Sequence, residues 1–172
     1  MEWVDLYDEN RVPLGRTAER YGPKGPGEYR LVVHVCVFDR RGRLLIQQRA
    51  PGKRIWPGYW DVSVGGGVDA GETSRRGAER EFLEELGFPL DLTGRRPTVT
   101  VQFPGGFDDF YLLVQDLDIG ALTLQEEEVR QVRWAELAEV LELVDAGAFI
   151  SYPKSFLTYL FDTRETFGFP AK

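Results

Sequence analysis

Glycines and glutamates recur at fixed spacing between Gly66 and Phe88, and this stretch constrains the chain more than any other. Within it, Glu81, Glu84 and Glu85 stand at i, i+3 and i+4, so a helix carries the three carboxylates on one face. Like charges this close repel each other and destabilise a helix unless something offsets them. A divalent cation that prefers oxygen ligands, such as magnesium, manganese or calcium, provides that offset.

The same stretch predicts which side of the helix is buried. We expect a helix over Thr73–Leu86, in which Phe82 and Leu86 form an apolar pair at i, i+4 with Leu83 beside them. Gly77 destabilises a helix interior, so its presence indicates that another element approaches closely there. One face is therefore expected to pack on a core while the other holds metal.

Arg80 is the only cation between Glu79 and Glu85. We expect it to reach back to Glu72 in the preceding loop and to fix that loop against the helix. The plain alternative for the glutamates is a solvated acidic face, which is what most charge runs form. That alternative explains neither the spaced glycines nor the glutamate in the loop.

Together, the fixed positions resemble the Nudix box. The matching residues are Gly66, Glu72, Arg80, Glu81, Glu84, Glu85, Gly87 and the closing apolar Phe88. Nudix proteins mostly hydrolyse a nucleoside diphosphate linked to another group, using magnesium or manganese. The resemblance therefore implies a metal-dependent hydrolase with the Nudix fold, in which Gly66, Glu72 and Gly87 have structural roles.

Similarity extends beyond the box, to the branch that includes isopentenyl diphosphate isomerase. It is carried by 44–50 and 56–63, and this sequence departs from that enzyme at two positions. Gly65 stands where the isomerase has a cysteine, and Gly67 where it has a metal-binding histidine. Moving a carbon–carbon double bond needs an acid and a base, and glycine has no titratable group. We therefore expect a hydrolase on an isomerase-like frame.

Composition narrows the class of protein further. The formal net charge is −7, which argues against broad binding to nucleic acid or to an anionic membrane. A single cysteine, Cys36, excludes an internal disulfide framework. The N-terminus is acidic and lacks the layout of a signal peptide, and no apolar run approaches the about 20 residues that span a bilayer. We expect a cytoplasmic protein, and its oligomeric state is left open.

The order of strands and helices predicts an α/β/α sandwich with a mixed sheet. We expect one domain over 1–172, with an N-terminal hairpin and Gly/Pro-rich connector in 1–27 and the core in 28–172. Strands are predicted at 3–7, 11–16, 31–38, 43–49, 60–64, 98–103, 109–114 and 129–134, and two later helices at 135–144 and 155–163.

Catalysis is assigned to Glu81, Glu84, Glu85, Arg80 and Glu128. The three box glutamates are the expected magnesium ligands, with manganese as a substitute, and the backbone carbonyl of Gly66 or its neighbour completes the coordination. The general base is either Glu81 or a fourth acid from 126–128, of which Glu128 lies nearest to a strand. A solvated acidic turn is the alternative for that triplet.

Substrate contacts are assigned from charge and aromatic character. Arg49 and Lys53 are candidate phosphate ligands, together with Arg30 and Arg54, and ordinary surface cations are the alternative. Phe107 is the candidate for stacking on a nucleobase, with Phe103 and Tyr111 nearby, and a place in the core is the alternative. His34 and Cys36 share one face of an apolar strand and are interpreted as pocket and core residues.

The leading hypothesis is a magnesium-dependent pyrophosphohydrolase that cleaves the diphosphate link of small nucleotides, meaning nucleoside di- or triphosphates. Isomerisation of isopentenyl diphosphate and non-catalytic nucleotide sensing are the alternatives. Neither nucleic acid nor membrane is expected as a partner. The sequence does not identify the base, the sugar or the number of phosphates.

Overall fold

The β-branched run in the first half of the chain forms the middle of a mixed sheet. The computed structural model describes residues 2–169. Its strands are β1 (Trp3–Tyr7), β2 (Pro13–Glu19), β3 (Arg30–Phe38), β4 (Leu44–Arg49), β5 (Trp60–Asp61), β6 (Val64–Gly67), β7 (Val99–Phe103), β8 (Gly106–Val114) and β9 (Val129–Ala135). Its helices are α1 (Ser74–Leu86), α2 (Leu137–Asp145) and α3 (Lys154–Thr163), with a 3-10 turn at Ile119–Ala121.

Parallel and antiparallel pairing are combined in this sheet. β3 runs parallel to β8 over its whole length, from Arg30 opposite Gly106 to Phe38 opposite Val114. β7 extends the sheet on the far side of β8, antiparallel to it. On the other side of β3 lie β6 and β4, and β4 in turn pairs with both β5 and β9. β1 and β2 form a separate two-stranded hairpin.

Helices cover both faces of the sheet because β3 is apolar on both. Its successive side chains point to opposite sides, and each side packs in a buried cluster. Val33, Val35 and Val37 join Phe82 and Leu86 of α1 in one buried cluster. Cys36 and Phe38 join the other cluster, which includes side chains of α2 and α3. The predicted α/β/α sandwich with an N-terminal hairpin is confirmed. No helix within 2–169 combines the length and hydropathy needed to cross a bilayer.

Ser63 bridges β3 and β4 where these two strands separate. Its hydroxyl donates to the Leu45 carbonyl at 2.6 Å and accepts from the Val37 amide at 2.9 Å. These bonds satisfy backbone groups of two strands that diverge after the pair Phe38 and Leu44. β6 pairs with β3 where the two strands have separated, and so places its glycines beside β3.

A buried ion pair attaches the N-terminal hairpin to the core. Arg11, in the hairpin turn, donates from both terminal nitrogens to Asp109 of β8, which is 0% exposed. Thr100 and Ser74 donate their hydroxyls to the same carboxylate, at 2.6 and 2.5 Å. One carboxylate therefore joins the hairpin, β7, β8 and the start of α1.

Several element boundaries differ from the predicted ones. The strand predicted at 60–64 is two short strands, because Ser63 turns inward between them. β2 begins and ends later than predicted, and the last residue of β9, Ala135, lies in a strand where a helix was predicted. Leu83 is 50% exposed and does not accompany Phe82 into the core.

Arg11→Ala should cost roughly 3 kcal/mol of unfolding free energy, because it leaves a fully buried carboxylate without its cation. Urea unfolding measures this loss. Arg16→Ala is the matched control, since Arg16 lies on the same hairpin and pairs with Glu28 while mostly exposed. It should cost less than about 1 kcal/mol. Equal losses in the two variants would contradict the anchoring role of Arg11.

Candidate active site

Two capping residues fix the length of α1 and thereby the direction of its glutamates. Thr73 accepts a hydrogen bond from the Arg76 amide at the N-terminus, and Gly87 ends the helix in a left-handed conformation with φ of 65°. Between them, Glu81 and Glu85 lie on the buried side of the helix, 7% and 3% exposed. The helix therefore turns two carboxylates toward the protein.

Glu81 lies against the backbone of β6. A Cβ atom at Gly66 would overlap the Glu81 carboxylate, so only glycine permits this approach. Further along the same contact, a Cβ at Gly77 would lie 3.1 Å from the Val68 side chain. The close approach expected from Gly77 is present, and it brings the carbonyls of β6 beside the glutamates.

Arg80 holds the loop before α1 and also contacts the acidic cluster. Its Nε donates to Glu72 at 3.0 Å, and Nη2 donates to the Gly67 carbonyl at 2.9 Å. Its Nη1 lies 3.1 Å from carboxylate oxygens of both Glu81 and Glu84. One guanidinium therefore joins the loop, β6 and two glutamates of the helix.

Glu85 is the most deeply buried acid of the cluster. Gln47 of β4 donates to it at 3.0 Å, and the Oε1 atom of Gln47 is buried without a hydrogen-bond partner among the described residues. Burial, followed by repulsion from Glu81, raises the pKa of Glu85 to about 8. Burial likewise raises the pKa of Glu81, against the opposing effect of Arg80.

The donor chemistry of this cluster fits a hard divalent cation. Glu81 and Glu85 are buried carboxyl groups with raised pKa values, and a bound divalent cation would stabilise both in their ionised form. Glu84, the Gly66 carbonyl and the amide oxygen of Gln47 are further oxygen donors nearby. Within 2–169, no three His, Cys, Asp or Glu side chains are grouped closely enough to hold a metal ion by themselves, and Arg80 contacts both Glu81 and Glu84.

Two adjoining cavities open beside this cluster. The smaller, of about 230 Å³, is lined by Glu81, Glu84 and Glu85. The larger, of about 420 Å³, is lined by Arg30, Arg49 and Arg54 among others. Both are lined by Glu2, Arg20, Tyr21, Lys53, Gly65 and Glu128. An acidic cavity therefore continues into a larger one that is rich in cations.

Comparison with known proteins decides the family. The NUDIX domain profile matches residues 28–154. An uncharacterized Nudix hydrolase of Listeria monocytogenes is 45% identical over 164 residues, covering 95% of this chain and 96% of that protein. The chain belongs to the Nudix family. The predicted resemblance is confirmed, and the chain is a Nudix hydrolase, an enzyme acting on phosphorus-containing anhydrides.

Two further relatives match its isomerase-like frame and its fold. The isopentenyl-diphosphate Delta-isomerase of Streptomyces avermitilis is 32% identical over 162 residues, covering 91% of this chain and 81% of that protein. The crystal structure of DR0079 from Deinococcus radiodurans is 25% identical with a TM-score of 0.73, covering 95% of this chain and 99% of that one.

The structure brings the predicted phosphate ligands and the predicted base of this Nudix hydrolase to the cavities. Arg49 lines the larger cavity and donates to the Ile55 carbonyl at 3.0 and 3.1 Å, while Lys53 lines both cavities. Glu128 also lines both and forms an ion pair with Lys53. Burial, followed by repulsion from Arg49, lowers the pKa of Lys53.

Phe107 does not reach either cavity. It lies in the core cluster beside α1, 7% exposed, and packs edge-on against Tyr29 at 5.8 Å. Phe103 lies away from both cavities too, and Tyr111 joins the same core and meets Ser74 through its hydroxyl at 2.9 Å. Phe107 is therefore not placed to stack on a nucleobase in either cavity, because its side chain points to the face of β8 opposite to that of Asp108.

His34 lies at the floor of the larger cavity. Its Nδ1 is 2.7 Å from Asp108 and its Nε2 is 3.1 Å from the hydroxyl of Tyr152, which donates to Asp61. Burial opposes the charge, but Asp108, with Asp61 and Glu85, outweighs it and raises the pKa of His34 to about 9. Both ring nitrogens of His34 are therefore engaged by protein partners, and neither is free to bind a metal.

Sequence reasoning missed the cavity residues that come from distant parts of the chain. Glu2, Arg20 and Tyr21 belong to the N-terminal hairpin and its connector, for which the sequence predicted no role in the site. Tyr152 precedes α3. No local pattern marks these residues, because tertiary docking alone brings them to the site.

Metal-free protein should lose stability as pH rises from about 4.5 to about 8, since folded Glu85 holds its proton more tightly than the unfolded chain does. Glu85→Gln should flatten this decline and stabilise the metal-free protein at the alkaline end, with little change at the acidic end. Glu81, whose pKa burial also raises, keeps some slope.

Thermal unfolding in chelator across this pH range measures the effect. Glu84→Gln is the control, because the Glu84 side chain is 51% exposed. Parallel stability curves for wild type and Glu85→Gln would show that Glu85 ionises as freely in the folded protein as in the unfolded chain.

Proposed function

We propose that this Nudix hydrolase is a magnesium-dependent pyrophosphohydrolase of small nucleotides, cleaving the diphosphate link of nucleoside di- or triphosphates. The observation that carries the proposal is the buried pair Glu81 and Glu85 at the acidic end of two adjoining cavities, with Arg49 at the other end and Lys53 lining both. Acids at one end suit a metal, and cations at the other suit phosphate oxygens.

In this proposal Glu81, Glu84 and Glu85 hold the metal, with the Gly66 carbonyl as a backbone ligand. Bound divalent metal neutralises phosphate oxygens and lowers the pKa of a coordinated water. Arg80 orients the acidic residues through its bonds to Glu72 and the β6 backbone. Manganese is expected to substitute for magnesium, since both prefer oxygen ligands.

Glu128 is proposed as the general base that accepts a proton from the attacking water. It lines the acidic cavity, and its pairing with Lys53 holds its carboxylate close to the expected phosphate site. Glu81 is the alternative base, but its contact with Arg80 and with β6 suits a ligand better. Arg49 and Lys53 bind phosphate oxygens in this scheme.

The cavity is sized for a small substrate. About 420 Å³ lies within the range typical of small-molecule sites, and acids such as Glu2, Asp61 and Glu127 among its cations suit a free nucleotide better than a long polyanion. We propose that 1–27 and 28–172 act as one domain, since the hairpin lines the same cavities as the core. We also propose that the protein works in the cytoplasm.

Isomerisation remains the alternative that the relatives raise. Isopentenyl-diphosphate Delta-isomerases are among the similar proteins, at 32% identity for Streptomyces avermitilis. Against this, Gly65 and Gly67 provide no acid, base or metal ligand at the positions where the isomerase has a cysteine and a histidine. A non-catalytic sensor is disfavoured because sensing has no need of a buried acid pair, which destabilises the fold.

Turnover should require a divalent metal. Glu85→Gln and Glu84→Gln should each lower kcat by at least about a hundredfold, which is more than is typical when a residue that only supports a metal ligand is replaced. Phosphate release at saturating magnesium measures this. Glu142→Gln, which removes a carboxylate from the exposed side of α2, is the matched control and should keep its rate. Full turnover in excess chelator would rule out metal dependence.

The reaction class follows from the glycines before the box. With magnesium, the purified protein should release phosphate or pyrophosphate from a nucleotide and should not interconvert isopentenyl and dimethylallyl diphosphates. A panel of nucleoside di- and triphosphates with identification of both products measures the first activity, and chromatography of the prenyl diphosphates measures the second. Dimethylallyl diphosphate formed without phosphate release from any nucleotide would reverse the assignment.

A further inference from the structure

Arg20 lies where the two cavities meet. It directly follows β2 at the end of the N-terminal hairpin, and its backbone amide donates to the Glu2 carbonyl at 2.8 Å. Its side chain is only 18% exposed and lines both the acidic and the cation-rich cavity. The hairpin therefore delivers a nearly buried guanidinium to the centre of the proposed active site.

Gly67 makes room for this guanidinium. A Cβ atom at position 67 would lie 2.9 Å from Nε and 3.0 Å from Cζ of Arg20, closer than van der Waals contact. Gly67 pairs with Val32 in the sheet and is held by Arg80, so the strand has no freedom to retreat. The absence of a side chain at position 67 therefore permits the observed position of Arg20.

The guanidinium has unused hydrogen-bonding capacity. Nη1 donates to Glu2 at 2.6 Å, and the Tyr21 ring lies 5.4 Å from Cζ. Nε, in contrast, is buried and has no hydrogen-bond partner among the described residues. A buried donor without an acceptor destabilises a protein, so its retention is best explained by a ligand that supplies the acceptor.

A purely structural role would be to hold Glu2. Glu2 is a weak reason for such a buried arginine, because its own side chain is 55% exposed and an exposed ion pair stabilises little. Nor does that pairing use the Nε donor. Phosphate oxygens do use it, since the planar fork of an arginine presents Nε and a terminal nitrogen to two oxygens at once.

We propose that Arg20 binds the diphosphate of the substrate at the junction of the two cavities, and that Gly67 is the residue that lets it reach there. This assignment rests on the proposed function of the cavities as a diphosphate site. Arg20 would then lie, together with Lys53, between the phosphate ligand Arg49 on one side and the Glu81 cluster on the other. The N-terminal hairpin becomes part of the binding site.

Binding of inorganic pyrophosphate, measured by calorimetry with magnesium, tests the proposal without requiring turnover. Arg20→Ala should weaken binding at least about tenfold, and Arg20→Lys should recover part of that loss because it restores charge without the fork. In nucleotide hydrolysis the same variants should raise KM more than they lower kcat. Arg16→Ala, on the same strand but paired outside the cavities with Glu28, is the matched control.

Glu2→Ala separates binding from a structural tie. If Arg20 binds phosphate, removing Glu2 frees the guanidinium, and pyrophosphate binding stays equal or tightens. If Arg20 serves only to hold Glu2, both alanine variants should behave alike, which would overturn the proposal. Unchanged binding by Arg20→Ala, or no pyrophosphate binding by wild type, would overturn it as well. Wild type that binds pyrophosphate but hydrolyses no nucleotide contradicts the proposed function alone.

Gly67→Ala completes the test through coupling. In the parent it should displace Arg20 and weaken pyrophosphate binding, whereas in the Arg20→Ala background it should have no further effect. Additive losses would show that position 67 acts independently of Arg20 and would contradict the proposed arrangement.

Discussion

The close approach of α1 to β6 is the constraint on which the rest of the site depends. Glycine at position 66 lets the Glu81 carboxylate lie directly against strand backbone, and Gly77 lets the helix pack against Val68. A side chain at position 66 would displace the Glu81 carboxylate from its place against the strand. The glycines therefore convert a helix of charged residues into a buried pair of acids with carbonyl groups beside it.

Burying two acids destabilises the fold, and the surrounding residues reduce that cost only in part. Arg80 contacts Glu81 and Glu84, and Gln47 donates to Glu85, yet the pKa of Glu85 is still raised to about 8, chiefly by burial. The remaining cost is what a bound cation would offset, so metal affinity and reduced stability without metal have the same origin. The fold compensates elsewhere, for instance through the fully satisfied Asp109 that anchors the hairpin.

The local parts of this structure were predictable because their signals are local. The helix of the box and the contact from Arg80 to Glu72 follow from spacing, and β3 follows from its β-branched run. The packing of the hairpin against the core was not predictable, because the contact between Arg11 and Asp109 joins residues 98 positions apart in the sequence. Alternation along β8 assigns Phe107 and Asp108 to opposite faces, but it does not say which face meets the cavity. Asp108 does so, through His34, and Phe107 consequently lies in the core.

The two glycines that distinguish this chain from an isomerase are not simply missing functional groups. A Cβ at Gly65 would lie 2.5 Å from the His34 ring, and a Cβ at Gly67 would crowd Arg20. The space that side chains at these positions would need is already filled by the imidazole of His34 and the guanidinium of Arg20. His34 is held by Asp108 and Tyr152, and Arg20 is held by Glu2, so a side chain at either position must shift or break these contacts. Substituting cysteine and histidine at positions 65 and 67 would therefore not be enough to create an isomerase site. Cationic side chains line the larger cavity, and this suits an anionic substrate bound through its phosphates.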